Sequence, residues 1–174
     1  MIPAKSSILS FIIIMLSALS APAQDAAQNA DVVTGDAEIL DGDVIKIGPQ
    51  RVILWGIDAP ERNQSCYKDG DRWGCADAAK RTLELLAGRG EVTCFLTGDA
   101  DPFGRRYGVC ESGGDAINEQ MVRRGMALAY LDQSTDYVEA QMDAITDAVG
   151  LWEVGVEFEE PWAFRLQNTP GGFR

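Results

Sequence analysis

Residues 40–61 read LDGDVIKIGPQRVILWGIDAPE, and the fold turns on how this stretch pairs with itself. Two β-like runs, residues 44–47 and 51–57, flank a tight Gly48-Pro49 turn. A hairpin of this kind brings its two ends together. Acidic residues stand at both ends: Asp41 and Asp43 at the start, Asp58 and Glu61 at the close. Carboxylates gathered this way repel one another unless a cation or a basic substrate group sits among them. Hard divalent ions, calcium above all, bind such oxygen clusters. Along the second run Val52, Leu54 and Gly56 share one face, and Arg51, Ile53 and Trp55 share the other.

Outward from the hairpin, residues 32–33 and 37–40 are expected to begin the sheet. Residues 62–74 read as a loop, and residues 75–86 as a helix with Ala76, Ala79, Leu83 and Leu86 on one stripe. Gly88 and Gly90 stop it. Strands are expected at 91–96 and 106–111 around a polar turn, and a second helix at 117–124. Asp136, with Glu139 three residues on, predicts a capping box for a third helix. Val138, Met142, Ile145 and Val149 would form its buried stripe. Pro161, Trp162 and Phe164 are expected to pack back on the body. Five strands with three helices suit an α+β fold, a small five-stranded OB-fold β-barrel.

The N-terminus reads as a secretory signal over residues 1–23: Lys5, an apolar run over 8–19, and Ala21-Pro22-Ala23 before the cleavage point. The run is too short to span a bilayer comfortably. The expected organisation is then a flexible arm at 24–31, one domain at 32–165 and a loose tail at 166–174. An exported chain, periplasmic or secreted and free of the membrane once the signal is removed, fits four cysteines. Three pairings are possible. Cys66 and Cys75 flank one loop, and Cys94 and Cys110 lie in two β-like runs around a turn, so the expected bridges are 66–75 and 94–110. The chain contains no histidine. That excludes Ser-His-Asp and Cys-His catalysis and leaves carboxylates or lysine as general bases. The net charge is −12, unfavourable for long-range attraction of nucleic acid.

The residues Asp41-Gly42-Asp43, Gly56-Ile57-Asp58-Ala59-Pro60-Glu61, Asp101-Pro102-Phe103-Gly104-Arg105 and the run 118–125, NEQMVRRG, occur in that order. Together they resemble the staphylococcal nuclease (thermonuclease) family. The resemblance implies the OB fold and calcium-dependent endonucleolytic hydrolysis of DNA or RNA, leaving 3′-phosphates; the chain itself is expected to be a monomer. It implies that Asp43 and Asp58 ligate calcium, that Asp41 reaches the metal shell through water, and that Glu61 activates the attacking water. It implies that Arg105 grips the phosphate and that Tyr130 and Phe103 lie near the nucleotide. The family's second arginine falls at Ile53, which is expected to point toward the acids rather than into the core. Arg51, one same-face step away at about 7 Å, and Arg62 are the candidate substitutes. The rival reading is a disulfide-stabilised OB module that binds a noncatalytic partner, favoured by Ile53 and the acidic charge.

Overall fold

The computed structural model describes residues 32–168. The expected signal, the arm and the last six residues of the tail lie outside them. The 40–61 stretch forms the expected hairpin, β3 (Val44–Ile47) and β4 (Gln50–Leu54), joined at Gly48-Pro49. Alternation then decides the inside: Ile45, Ile47, Val52 and Leu54 are all buried in the main core.

Around this hairpin winds one mixed sheet. Its path runs from β1 (Val32–Gly35) through β8 (Val92–Thr97), β9 (Arg105–Ser112), β4 and β3 to β2 (Ala37–Ile39), with β10 (Asp115–Ala116) added beside β9. Only the β4–β9 pair is parallel. β1 and β2 are separated by Asp36 alone and pair with opposite ends of the path. The sheet therefore curls as an OB-like sheet does, but among the described residues no ladder closes it into a barrel. Two small sheets complete the set among the described residues. β5 (Ile57–Asp58) pairs with β11 (Leu128–Ala129), and β6 (Cys66–Lys68) pairs with both β7 (Asp71–Trp73) and β12 (Val156–Glu157).

The architecture is α+β, but the count of five strands and three helices is corrected. Twelve short strands and four α-helices are present among the described residues. The second run of the hairpin breaks in two at Gly56, which adopts φ +76°. The stretch expected to be a loop holds the β6–β7 hairpin. Its Asp69-Gly70 turn has both residues at positive φ, 54° and 85°, the geometry an Asp-Gly pair favours.

Helix α1 (Cys75–Ala87) buries the expected Ala76, Ala79, Leu83 and Leu86 and ends at Gly88, whose N–H bonds the Glu84 carbonyl. Helix α2 (Ile117–Arg123) sinks Ile117, Met121 and Val122 into the same core. Helix α3 (Val138–Thr146) departs from expectation. No side chain caps it, and Tyr137 rather than Asp136 holds the N-cap position. Its buried residues are Ala140 and Ala144, while Met142 is 55% exposed. Small side chains let α3 approach the body closely, and the bulkier stripe rotates outward. The final helix, α4 (Pro161–Asn168), was not expected as a helix. It includes residues 166–168 of the expected tail.

Both disulfides form as the spacing implies, Cys66–Cys75 and Cys94–Cys110. The second joins directly opposed residues of β8 and β9. The first anchors a smaller apolar cluster with Leu128 and Leu151, against which Trp73, Trp152, Phe158 and Trp162 pack.

Candidate functional site

Gly56 is the pivot of the site. Its φ of +76° turns the chain out of β4, and an added Cβ would lie 2.7 Å from the Tyr137 ring. Its N–H donates to Gln133 Oε1 (2.9 Å), and its carbonyl accepts from the Tyr130 N–H (2.9 Å). The turned chain enters β5, where pairing with Leu128 fixes Asp58. Asp43 precedes β3, and its carbonyl accepts from Leu54 N–H (2.9 Å). The Ala59 N–H donates to Asp43 Oδ2 (3.3 Å). The two ends of the stretch are thereby joined, and Asp43 and Asp58 both come within electrostatic reach of Glu61.

The acids differ in setting. Asp58 is fully buried, at 0% exposure, and Asp43 nearly so. Burial pushes the Glu61 carboxyl above its usual value; Asp43 and Asp58 add to this, and Arg165 opposes it. Burial also raises Asp41, with the Asp43 charge adding, while the Gly42 N–H and Arg62 work the other way. Arg62 donates to the Leu40 carbonyl (3.0 Å) and more weakly to Asp41 Oδ2 (3.4 Å).

A residue that sequence reasoning missed stands among these acids. Arg165 of α4 sends Nη1 to Asp58 Oδ1 (2.8 Å) and Nη2 to Asp58 Oδ2 (2.6 Å), a two-pronged pair. Nη1 also donates to Glu61 Oε1 (2.7 Å). The Arg165 side chain is 7% exposed. Burial alone would disfavour its charge, but Asp58 and Glu61 hold it protonated more firmly than an ordinary arginine. Nothing local announces this contact, because the partners are 107 residues apart. The one available signal was an arginine directly after the apolar run Pro161-Trp162-Ala163-Phe164. Gln64, also missed, accepts from the Glu61 N–H (3.1 Å) and donates to the Glu159 carbonyl just ahead of α4. Asn118 is buried between strands and takes the Cys110 N–H (2.9 Å) while donating to the Trp55 carbonyl (2.9 Å).

The remaining candidates lie on the outer face of the sheet. Lys46, Arg51 and Arg105 are directly paired across β3, β4 and β9 and so form one basic row. Arg105 donates through Nε to Asp101 Oδ2 (2.7 Å), and its guanidinium lies 5.3 Å from the centre of the exposed Phe103 ring. Lys46 pairs with Glu38 (2.7 Å). Ile53 occupies the next row, between Val44 and Tyr107. It lies on the face opposite Val52 and Leu54 and outside the main core cluster, yet is only 1% exposed. It is a covered position rather than one open to the site. Tyr130 stacks against Trp162 of α4, ring centres 5.5 Å apart.

A calcium ion does not fit this arrangement. Both Asp58 oxygens and one Glu61 oxygen are engaged by a guanidinium. Among the described residues no three acidic, cysteine or histidine side chains are grouped so as to hold a metal. The internal cation stands where the resemblance puts the calcium ligands.

The family model of the staphylococcal nuclease homologues matches residues 51–154, a range that stops short of α4. The chain is 30% identical over 134 residues to the succinoglycan biosynthesis protein ExoI of Rhizobium meliloti, covering 74% of this chain and 69% of that one. It is 34% identical over 104 residues to an uncharacterized endonuclease of Haemophilus influenzae (59% and 53% of the two chains). It is 28% identical over 124 residues to the staphylococcal-like nuclease CAN1 of Arabidopsis thaliana (70% and 35%). The match thus spans only about half or less of the last two relatives.

Proposed function

The chain belongs to the staphylococcal nuclease family, and from that premise we propose that it is an exported phosphodiesterase that cleaves DNA or RNA internally and leaves 3′-phosphates. The observation that carries the reading is the placement of Glu61 within electrostatic reach of both Asp43 and Asp58 at the base of the hairpin, whose two strands also carry Lys46 and Arg51 of the basic row. Glu61 is the least buried of the three, with its side chain 32% exposed, and its raised affinity for a proton suits a group that takes one from water. Arg105, braced by Asp101, presents its guanidinium to a phosphate, and Arg51 stands beside it in the row. A guanidinium bonds two phosphate oxygens and stabilises charge that grows in the transition state. The exposed Phe103 ring next to Arg105 offers a flat surface for a base. Two of the three relatives named above are described as nucleases or endonucleases.

One observation favours a second reading. Arg165 engages the very carboxylates the chemistry needs, as a noncatalytic binding module would permit. Cleavage of heat-denatured DNA, with calcium and with a chelator, separates the two. The nuclease reading expects cleavage that Glu61→Gln lowers by about a hundredfold or more. A folded protein that leaves the DNA intact under both conditions overturns it.

A further inference from the structure

Asp58 and Glu61 already have a cationic partner, and it belongs to the chain. We propose that Arg165 is the resident cation of this site, a positioning residue that neutralises Asp58 and holds Glu61 in place, so that the site works without a divalent metal ion. The proposal rests on the nuclease reading for what Glu61 does, and on the ion pair alone for how Glu61 is held.

The first argument is geometry. Nη1 of Arg165 bridges the two acids, 2.8 Å from Asp58 Oδ1 and 2.7 Å from Glu61 Oε1, while Nη2 takes Asp58 Oδ2 at 2.6 Å. A planar guanidinium that grips both oxygens of one carboxylate has a fixed orientation, so Glu61 is aligned on the buried Asp58. The other Glu61 oxygen, Oε2, has no partner among the described residues, and the side chain is 32% exposed. One oxygen is thus held while the other stays available to a water molecule. The second argument is charge. Asp58 is 0% exposed, and a buried carboxylate without a positive partner is strongly unfavourable. Arginine stays protonated at any working pH and supplies that charge whatever ions the solution contains. The third is attachment. Trp162 stacks on Tyr130 and packs on the apolar cluster that the Cys66–Cys75 bridge anchors, and Pro161 is buried. Gln64 ties the Glu61 backbone to the Glu159 carbonyl ahead of the helix. Helix α4 is therefore a fixed support for the guanidinium, and it lies beyond the matched family range, which ends at residue 154.

The first measurement needs no nucleic acid. Calcium titrated into the wild type by calorimetry should give no binding heat up to about 1 mM, the weak end of protein calcium sites. The melting temperature should be the same in calcium and in chelator. The second measurement is cleavage of heat-denatured DNA, which should be as fast in chelator as in calcium. Arg165→Gln should lower kcat about a hundredfold, as a misplaced reacting group does. Its KM should hold, because Arg165 is buried against acids and reaches no phosphate. Arg165→Lys, which keeps the charge and loses the fork, should recover part of the rate. Where Arg165→Gln does not fold, Arg165→Lys and the wild-type measurements decide. Calcium binding to the wild type overturns the proposal. So does cleavage that chelator abolishes, and so does an Arg165→Gln variant that cleaves as fast as the wild type. If no DNA is cleaved in either condition and calcium still does not bind, the nuclease reading falls and the resident cation stands.

Discussion

Ile53 and Arg165 exchange the parts that a reading of motifs would give them. Isoleucine at the position of a family arginine looks like a missing donor that could be restored. In the fold it is a covered side chain between Val44 and Tyr107. Ile53→Arg therefore places a guanidinium where almost no solvent reaches. Its expected cost is about 3 kcal/mol or more, as for a buried charge without a prepared partner. Urea unfolding measures it. A loss below about 1 kcal/mol, the ordinary range for exposed positions, would mean that this row opens onto the carboxylates. Arg165, by contrast, lies outside every motif and makes the strongest polar contact of the site. Asn118 shows how a motif residue can act through the scaffold. Its side chain ties β9 to the end of β4, which supports the turn into Asp58 without touching any substrate.

Elements set the orientation of the basic side chains. The turn between β8 and β9 is organised by Asp101. Its Oδ1 accepts from the Phe103 N–H (2.9 Å) and the Arg105 N–H (2.8 Å), and its Oδ2 from Arg105 Nε (2.7 Å). Burial works to raise this carboxyl, but the Arg105 amide and guanidinium and the Phe103 amide outweigh it and hold it below the usual carboxylate range. A depressed folded value means that the stabilisation is present above about pH 4, the ordinary aspartate value, and is lost as the pH falls through the depressed one. Asp101→Ala should accordingly lower stability at neutral pH by about 1 kcal/mol and shrink the acid-induced loss below pH 4. Denaturant titrations at pH 7 and pH 3 check this. An equal acid loss in both proteins would remove Asp101 from the account. Helix α3 shows the other side of element-level control: two alanines decide its inner face, and the larger residues of the expected stripe turn outward.

For the whole molecule, charge is the governing quantity. A net charge of −12 repels polyanions at range, so substrate capture falls to the short Lys46–Arg51–Arg105 row. Lys46 and Arg105 are already paired with Glu38 and Asp101. Few phosphates are then neutralised, and few counterions released. Affinity for single-stranded DNA should fall with salt at a log–log slope of about −2 or shallower. Binding measured between low and physiological salt tests it. A markedly steeper slope would require a larger basic surface than this row. The two disulfides act on the same scale. One fastens the central β8–β9 ladder, and the other fastens the small apolar cluster beneath α4.

Much of this was legible in the chain itself. The 44–47 hairpin arm, its glycine-proline turn, the α1 stripe, both cysteine pairings and the convergence of Asp43, Asp58 and Glu61 follow from patterns local in sequence. Alternation with period two, helical spacing and glycine stops are short-range physics, and short stretches carry them. The β6–β7 hairpin reads as a loop in sequence, although its Asp69-Gly70 pair is a local turn signal. Tertiary structure alone decided the rest. Whether Ile53 is covered depends on side chains of neighbouring strands, and whether Ala140 or Met142 faces inward depends on the space beside α3. That a guanidinium rather than an ion satisfies Asp58 depends on a helix 107 residues away. A buried charge is neutralised by whatever partner the fold brings within bonding distance, and no periodicity in sequence records that distance.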